Sequence, residues 1–366
     1  MTKSLPVLMY HYVSKCEGSI SVDPRTFEDH CRTLAARGWH GISLHEAEQF
    51  LLNGTPLPRR SVLITFDDGY LDNYIYAWPV LKKYGHKAVI FAVTSKIENH
   101  ATLRPTIDDI REGRARPDAL PQVDKPFIEI AEGVAERQDT FFSWSEARAM
   151  EASGVITIAA HSHSHANIFC GHEYSGFIFP RGRGRTFYEV EGENLWGMPA
   201  YPKAPAFSGN AFLPSARLMD IVRSTVPQNK IEAYNFAQQQ ENRDRLQRRL
   251  DALSATEAGR YETDEERDAR FTKDIAACKA LLEKELGHAR RSFCWPWGVA
   301  GTAAKLMAEQ QGFSVFFTTA PGANPPHSAG AVHRFKVKNR PARWLLSRVR
   351  LYANPAAARI YSFLRR

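Results

Sequence analysis

Residues 61–70 read "SVLITFDDGY". An uncharged run rich in branched apolar side chains meets two adjacent aspartates and a glycine. An apolar run of this length, bounded by turn chemistry, is the pattern of a strand buried on both faces. A strand buried on both faces belongs to a parallel sheet covered by helices. The segments "PVLMYH" (6–11), "KAVIFAV" (87–93), "VITIAAH" (155–161) and "SVFFTT" (314–319) repeat the pattern. Helix signals lie between them. Ser43 and Ser143 each precede a glutamate by three residues, the spacing of a capping box. Phe27, Cys31 and Leu34 fall on one helical face, and Gly38 ends that helix. Strand–helix alternation predicts an α/β fold with a parallel sheet, open or closed into a barrel. In either form, functional groups gather at the C-terminal ends of strands.

Two regions interrupt the alternation. Residues 99–140 are rich in charge and proline and read as an extended loop. Residues 166–286 read as an insertion within one domain, irregular at first and helical over 236–286. The chain has 366 residues, 43% hydrophobic and 24% charged. That is ordinary for a globular protein, and one large domain with insertions accommodates the length. The formal net charge of +8 points to an anionic partner. The excess gathers after Arg334, where arginines are dense and no acid occurs. No recognised nucleic-acid module accompanies the charge, so nucleic acid is not the expected partner. Five scattered cysteines with no CxxC motif suggest a reducing compartment. The apolar run in "MTKSLPVLMYHYV" is too short for a signal peptide, and no apolar run is long enough to span a bilayer. The expected location is cytoplasmic, with peripheral attachment to the inner face of the membrane.

Three stretches carry chemistry. In "ITFDDGYLDNY" (64–74) two carboxylates sit together at a strand end, where they repel unless a cation is near. Asp-Asp-Gly is also good turn chemistry. In "AHSHSHA" (160–166) three histidines follow another apolar strand. If both strands share one parallel sheet, the aspartates and histidines emerge at the same edge. A carboxylate with two imidazoles is a sound donor set for a divalent metal, with positions left open for water and substrate. In "SFCWPWG" (292–298) a short strand ends at Pro296 and Gly298. Trp295 and Trp297 there read either as a core corner or as a wall for sugar rings.

The order TFDDG, then His-Ser-x-x-His, then a Pro-x-Gly strand end resembles the polysaccharide deacetylase family, also called the NodB-homology family or carbohydrate esterase family four. "VLMYHYV" and "FFTTAPG" further resemble its poly-N-acetylglucosamine deacetylase-like subgroup. The resemblance covers about residues 1–100, 141–166 and 286–340. It implies a distorted (β/α) barrel of about seven parallel strands over 1–340, interrupted by the 166–286 insertion, with 341–366 as a basic helical tail. It implies that Asp67 is the general base and that Asp68, His161 and His165 hold the metal. Zinc is the expected ion, with cobalt, nickel, iron or manganese also compatible. The pairing with Asp68 favours a strand that ends at His161 and then turns, so that His161 and His165 converge and His163 points elsewhere. The family's catalytic acid is a late histidine, which matches His333, with His327 as a rival. His11, Tyr70, Trp295 and Trp297 are the expected substrate contacts. At the position of the family's third-motif arginine this chain has Cys294, which leaves the tuning of Asp67 without a source.

The implied reaction is hydrolysis of the N-acetyl group of an amino sugar in a cell-surface glycan, or in its lipid-linked or lipopolysaccharide precursor. The alternatives are a deformylase or deacylase of a lipid-linked sugar, and an inactive carbohydrate-binding protein on the same fold. In the tail, Leu345, Val349 and Tyr352 form one apolar stripe, and Ile360, Phe363 and Leu364 form another, both flanked by arginines. The stripes read as packing on the barrel or as an anchor on an anionic membrane surface.

Overall fold

The computed structural model describes residues 2–363 except Glu17, 125–126, 132–133, 138–139 and 181–189. Its centre is a parallel sheet of β1 (Val7–Tyr10), β2 (His40–Gly41), β3 (Ser61–Asp68), β4 (Ala88–Ala92), β5 (Ile156–Ala160), β6 (Ser292–Cys294), β7 (Val315–Phe317) and β8 (Phe335–Lys336). Seven of these lie side by side in the order β7-β6-β5-β4-β3-β1-β8, and β2 pairs with the start of β3. Every pairing is parallel. One segment reaches both edges. Val332 bridges Phe317 of β7, and three residues later Phe335 pairs with Leu8 of β1. The sheet is therefore curled into the expected distorted barrel.

Strand alternation sorts the side chains into two cores. Val7, Leu63, Val89, Phe91, Ala159, Cys294 and Val315 form one cluster, joined by Phe50 and Leu51 of α2 (Leu44–Asn53). Leu8, Ile64, Ile90, Ile158, Phe293 and Phe316 face the other way. There they meet α1 (Pro24–Ala36), α3 (Trp78–Tyr84) and α4 (Trp144–Ala152). Each fully buried Leu, Ile or Phe contributes about 1.5–3 kcal/mol of transfer free energy. The capping boxes at Ser43/Glu46 and Ser143/Glu146 both form and fix where α2 and α4 begin.

The interruptions hold more structure than their patterns suggest. Residues 99–140 contain a short helix (Ile107–Arg111) and an antiparallel strand pair (Phe127–Ala131 with Val134–Arg137). Arg104 ties the segment to the barrel through Glu98 and the buried Glu146. The 166–286 region has an apolar cluster of its own, including Phe169, Met198, Tyr201, Phe212, Val222 and Phe236. Its helices α5 (Ala216–Thr225), α6 (Lys230–Gln238) and α7 (Gln240–Asp251) build that cluster. Helix α8 (Asp264–Leu286) does not join it. Its Phe271, Ile275, Cys278 and Leu282 pack in the main core with Ala304 and Ala308 of α9 (Thr302–Gln310).

In the tail, α10 (Ala342–Tyr352) buries Leu345, Val349 and Tyr352 in the main core, so that stripe is spent on the barrel. Helix α11 (Pro355–Phe363) follows, with Ile360 63% exposed. Leu364 and the Phe363 side chain lie outside the described residues. Among the described residues, no helix is long and apolar enough to cross a membrane.

Glu48 on α2 is buried and accepts a hydrogen bond from Ser292 Oγ at 2.8 Å. Burial pushes its carboxyl above the ordinary value, against the Ser292 bond and the Arg290 charge. A carboxyl with a raised folded-state pKa costs stability as pH rises from the ordinary value through the raised one. Glu48→Gln keeps the acceptor and removes the charge. We expect it to raise Tm at about pH 8 and to change it little near pH 4, by about 2–4 °C for each kcal/mol regained. An equal shift at both pH values would contradict this account of Glu48.

Candidate active site

Strand β3 delivers two carboxylates to one end of the sheet. Thr65 and Asp67 alternate onto the inner face, and Asp67 is 2% exposed. A charge so buried requires a partner. Arg334, with a fully buried side chain, supplies it. Arg334 Nη1 donates to Asp67 Oδ1 at 2.6 Å and Nη2 donates to Oδ2 at 2.8 Å. Arg334 Nε is itself held by the Thr318 carbonyl at 2.8 Å. Burial alone would raise the Asp67 pKa, but the Arg334 guanidinium, helped by His161 and His11, holds it below the ordinary value. Asp67 is thus kept as a carboxylate in a dry site.

Asp68 would face away from Asp67 if the strand continued. Its φ of 77° breaks the alternation, and Gly69 follows at φ 90°. A Cβ on Gly69 would press on Ile97 and Phe142, 3.1 and 3.3 Å away. The turn brings Asp68 Oδ1 to 3.5 Å from His161 Nε2 and to 3.5 Å from His165 Nε2. The imidazoles hold Asp68 well below its ordinary pKa against the opposing effect of burial.

The two histidines reach the same point by a second turn. His161 directly follows β5, and its Nδ1–H donates to the Cys294 carbonyl at 2.8 Å. That bond leaves Nε2 as the free donor atom, the usual second bond of a metal-ligating imidazole. Ser162 and His165 both take positive φ, at 66° and 51°. Ser162 Oγ accepts from His165 N at 2.8 Å. Asp274 on α8 fastens the turn from outside, accepting from His163 N at 2.8 Å and Ser164 N at 2.9 Å. His163 points away, with Nδ1 3.0 Å from Thr94 Oγ1. Burial pushes the His165 imidazole down to about 4, so its nitrogen is neutral and can ligate. The donor atoms of Asp68, His161 and His165 all lie within 4.8 Å of one another. One carboxylate and two imidazoles, one fixed by a carbonyl, suit a divalent transition metal.

A cavity of about 630 Å³ opens over these groups. His11, Tyr70, His161, His165 and Trp297 line it with the two aspartates. His11 Nε2 stands 3.9 Å from Asp67 Oδ2, and burial lowers the pKa of its ring. Tyr70 stacks on Tyr12 with ring centroids 3.8 Å apart. Trp297 is 41% exposed and lies 4.2 Å, centroid to centroid, from His165. It holds φ 52°, and Gly298 after it comes so close to Thr319 that a Cβ would collide. Six non-glycine residues among those described have positive φ; three of them (Asp68, His165 and Trp297) line this cavity, and a fourth, Ser162, belongs to the turn that carries His165. Strain of this kind concentrates where geometry serves function.

Two expectations are corrected by the geometry. Trp295 does not wall the cavity. It faces the outer core, stacked on Phe316 at 5.5 Å and packed against Phe207 and Phe293. His333 is not among the cavity residues. Its ring lies against Gly322 and its Nδ1 is 3.2 Å from the Ala320 carbonyl. His327, the rival, meets the Leu52 carbonyl at 3.0 Å instead. The residue that sequence reasoning missed is Arg334, the neighbour of His333. Period-2 alternation through "AVHRF" is the available signal: Val332 and Arg334 face inward together and His333 does not. Arg334 also supplies what Cys294 lacks. Cys294 Sγ is 3.9 Å from Asp67 Oδ1, in the same buried pocket.

Residues 54–183 match the family model described as polysaccharide deacetylase. The YxkH protein of Bacillus subtilis (strain 168), a polysaccharide deacetylase by name, is 44% identical over 100 residues, 27% of this chain and 36% of that protein. The poly-beta-1,6-N-acetyl-D-glucosamine N-deacetylase of Escherichia coli (strain K12) is 19% identical over 324 residues, 88% of this chain and 34% of that protein. The chain thus spans about a third of the length of the curated relatives it matches. The fold is similar to the BpsB deacetylase domain from Bordetella bronchiseptica, with TM-score 0.57 and 21% identity over 92% of this chain and 97% of that one. It is also similar to IcaB from Ammonifex degensii, with TM-score 0.53 and 19% identity over 96% and 97% of the two chains.

Two predictions test the site. His161→Ala and His165→Ala abolish zinc binding in a competitive chelator titration, while His163→Ala retains it and Asp274→Ala weakens it about 10–100-fold. Equal loss in all three histidine variants would mean that the turn is not formed as described. Arg334→Met, which leaves Asp67 buried and unpaired, costs about 3–5 kcal/mol of stability by denaturant unfolding. Arg334→Met with Asp67→Leu recovers much of that loss. Strictly additive losses would show that the two residues do not interact.

Proposed function

We propose that the chain is a polysaccharide deacetylase, a reading supported by the match of residues 54–183 to that family model, and that it hydrolyses the N-acetyl group of an amino sugar, releasing acetate. The observation that carries this reading is a buried carboxylate, Asp67, held ionised by Arg334 next to a three-donor metal set. Asp68, His161 and His165 would hold a divalent ion, zinc being the best match to one oxygen and two nitrogen donors. Bound there, such an ion supplies Lewis acidity to an amide carbonyl.

The remaining work falls to side chains. Asp67 accepts the proton of the attacking water, and the Arg334 pair keeps it ionised for that task. His11, 3.9 Å from Asp67, is the imidazole placed to take that proton over from Asp67 and pass it to the departing amine. The carbon–nitrogen bond then breaks and the sugar leaves with a free amino group. Trp297, 41% exposed in the cavity wall, offers a ring face to the sugar, and Tyr70 lines the same wall. The substrate is an N-acetylated glycan of the cell surface or its lipid-linked or lipopolysaccharide precursor. The Escherichia coli relative, named for poly-beta-1,6-N-acetyl-D-glucosamine, supports the choice of an amino sugar. We place the chain in the cytoplasm, at the inner face of the membrane, on the grounds of its cysteine usage and basic tail.

Acetate release from polymeric, nucleotide-linked and lipid-linked N-acetylglucosamine tests the proposal. Wild type releases acetate from at least one of them, and Asp67→Asn lowers the rate by about 100- to 10,000-fold. Release that is unaffected by Asp67→Asn contradicts the mechanism. Release of formate or a longer acid from the matching N-acyl sugars, without acetate, assigns the site to a deformylase or deacylase.

A further inference from the structure

A second cavity, of about 370 Å³, adjoins the first and shares Thr319 and Lys336 with it. β8, the segment after it and the two tail helices build its wall. Lys336, Lys338, Arg340 and Arg348 line it, with Trp344 and Tyr361 among its aromatic rings. No carboxylate contributes to that lining. Lys338, Arg340 and Arg348 form no ion pair among the described residues, so their charge is not spent within the fold. Arg348 is held between two rings, 5.8 Å from the Trp344 centroid and 4.9 Å from that of Tyr361. Such stacking orients the planar guanidinium and leaves its edge N–H groups for an anion.

The neighbouring cavity has the same sign. Lys96 and Lys203 join Lys336 in its wall. Its two carboxylates are already committed, Asp67 to Arg334 and Asp68 to the imidazoles. A cleft with walls of one sign concentrates oppositely charged ligands. One carboxylate on a substrate would match one guanidinium. Four cations around a small cavity match a group with several charged oxygens.

We propose that the second cavity binds a phosphate or diphosphate group borne by the substrate beside its N-acetylated sugar. This rests on the reading of the first cavity as the deacetylation site, and it names the substrate class as a phosphorylated amino sugar. The aromatic rings of the second cavity give the group beyond the phosphate an apolar surface. That group could be a nucleoside or a polyprenyl chain, and the phosphate is common to both.

The test is calorimetric binding to the full chain, comparing N-acetylglucosamine 1-phosphate with the neutral methyl glycoside. Wild type binds the phosphate at least about 10-fold more tightly. The exposed pair Lys338→Gln/Arg340→Gln, and separately Arg348→Gln, erase that preference and leave methyl glycoside binding unchanged. Melting temperature checks that the half-buried Arg348→Gln variant is folded, and the exposed pair serves if it is not. Equal wild-type affinity for the two ligands, or an undiminished preference in the variants, overturns the proposal. Uridine diphosphate N-acetylglucosamine and a polyprenyl diphosphate N-acetylglucosamine in detergent micelles separate the sources. The one that gains affinity over the 1-phosphate identifies the carrier, and no gain with either leaves phosphate itself as the recognised group. Binding needs no turnover. A phosphate preference with no acetate release from any substrate would therefore overturn the hydrolysis reading alone.

Discussion

The site depends on one buried ion pair, Asp67 with Arg334. A carboxylate 2% exposed cannot stay charged unless a cation is held against it, and the bidentate guanidinium is that cation. The pair also organises the fold. Arg334 lies in the segment that bridges the last edge strand at Val332 and pairs with the first strand at Phe335. The contact that tunes Asp67 therefore also ties the two edges of the sheet together. The distance between the partners along the chain, 267 residues, makes this a property of the closed barrel and of no local motif.

The metal set depends on the same end of the sheet by a different device. Alternation alone would turn Asp68 away from Asp67 and spread the histidines of "HSHSH" over one face. Left-handed backbone at Asp68, Ser162 and His165 redirects them to a common point. Asp274, reaching over from α8, carries part of that constraint, so a helix at the end of the insertion takes part in building the site.

This division explains what the sequence reveals. Short apolar runs and capping boxes carry strand and helix identity locally, so the parallel sheet and the starts of α2 and α4 are legible. Asp67 and His161 are legible because each directly follows an apolar run, and Asp68 and His165 because they complete the TFDDG and His-Ser-x-x-His patterns of the family that the chain resembles. Arg334 is not, because its partner is remote and its neighbour His333 is the more conspicuous residue. Trp295 and Trp297 look equivalent in "CWPWG", yet one lies in the outer core and the other turns into the cavity at positive φ. The insertion core is hidden because its contacts, such as Phe169 with Tyr201 and Phe212 with Tyr261, join segments that have no periodic pattern of their own. The tail arginines read as a solvated or membrane-facing surface, whereas α10 buries its apolar stripe and turns Arg348 towards a cavity beside the active site.

The central claim is hydrolysis of an amide by water at Asp67. Turnover of an N-acetylated amino-sugar substrate in heavy-oxygen water, followed by mass spectrometry of both products, tests it most directly. The account predicts one heavy oxygen in the released acetate and none in the sugar, with the label lost together with activity in Asp67→Asn. Acetate formed without label, or an acetyl group transferred to another acceptor, would contradict it.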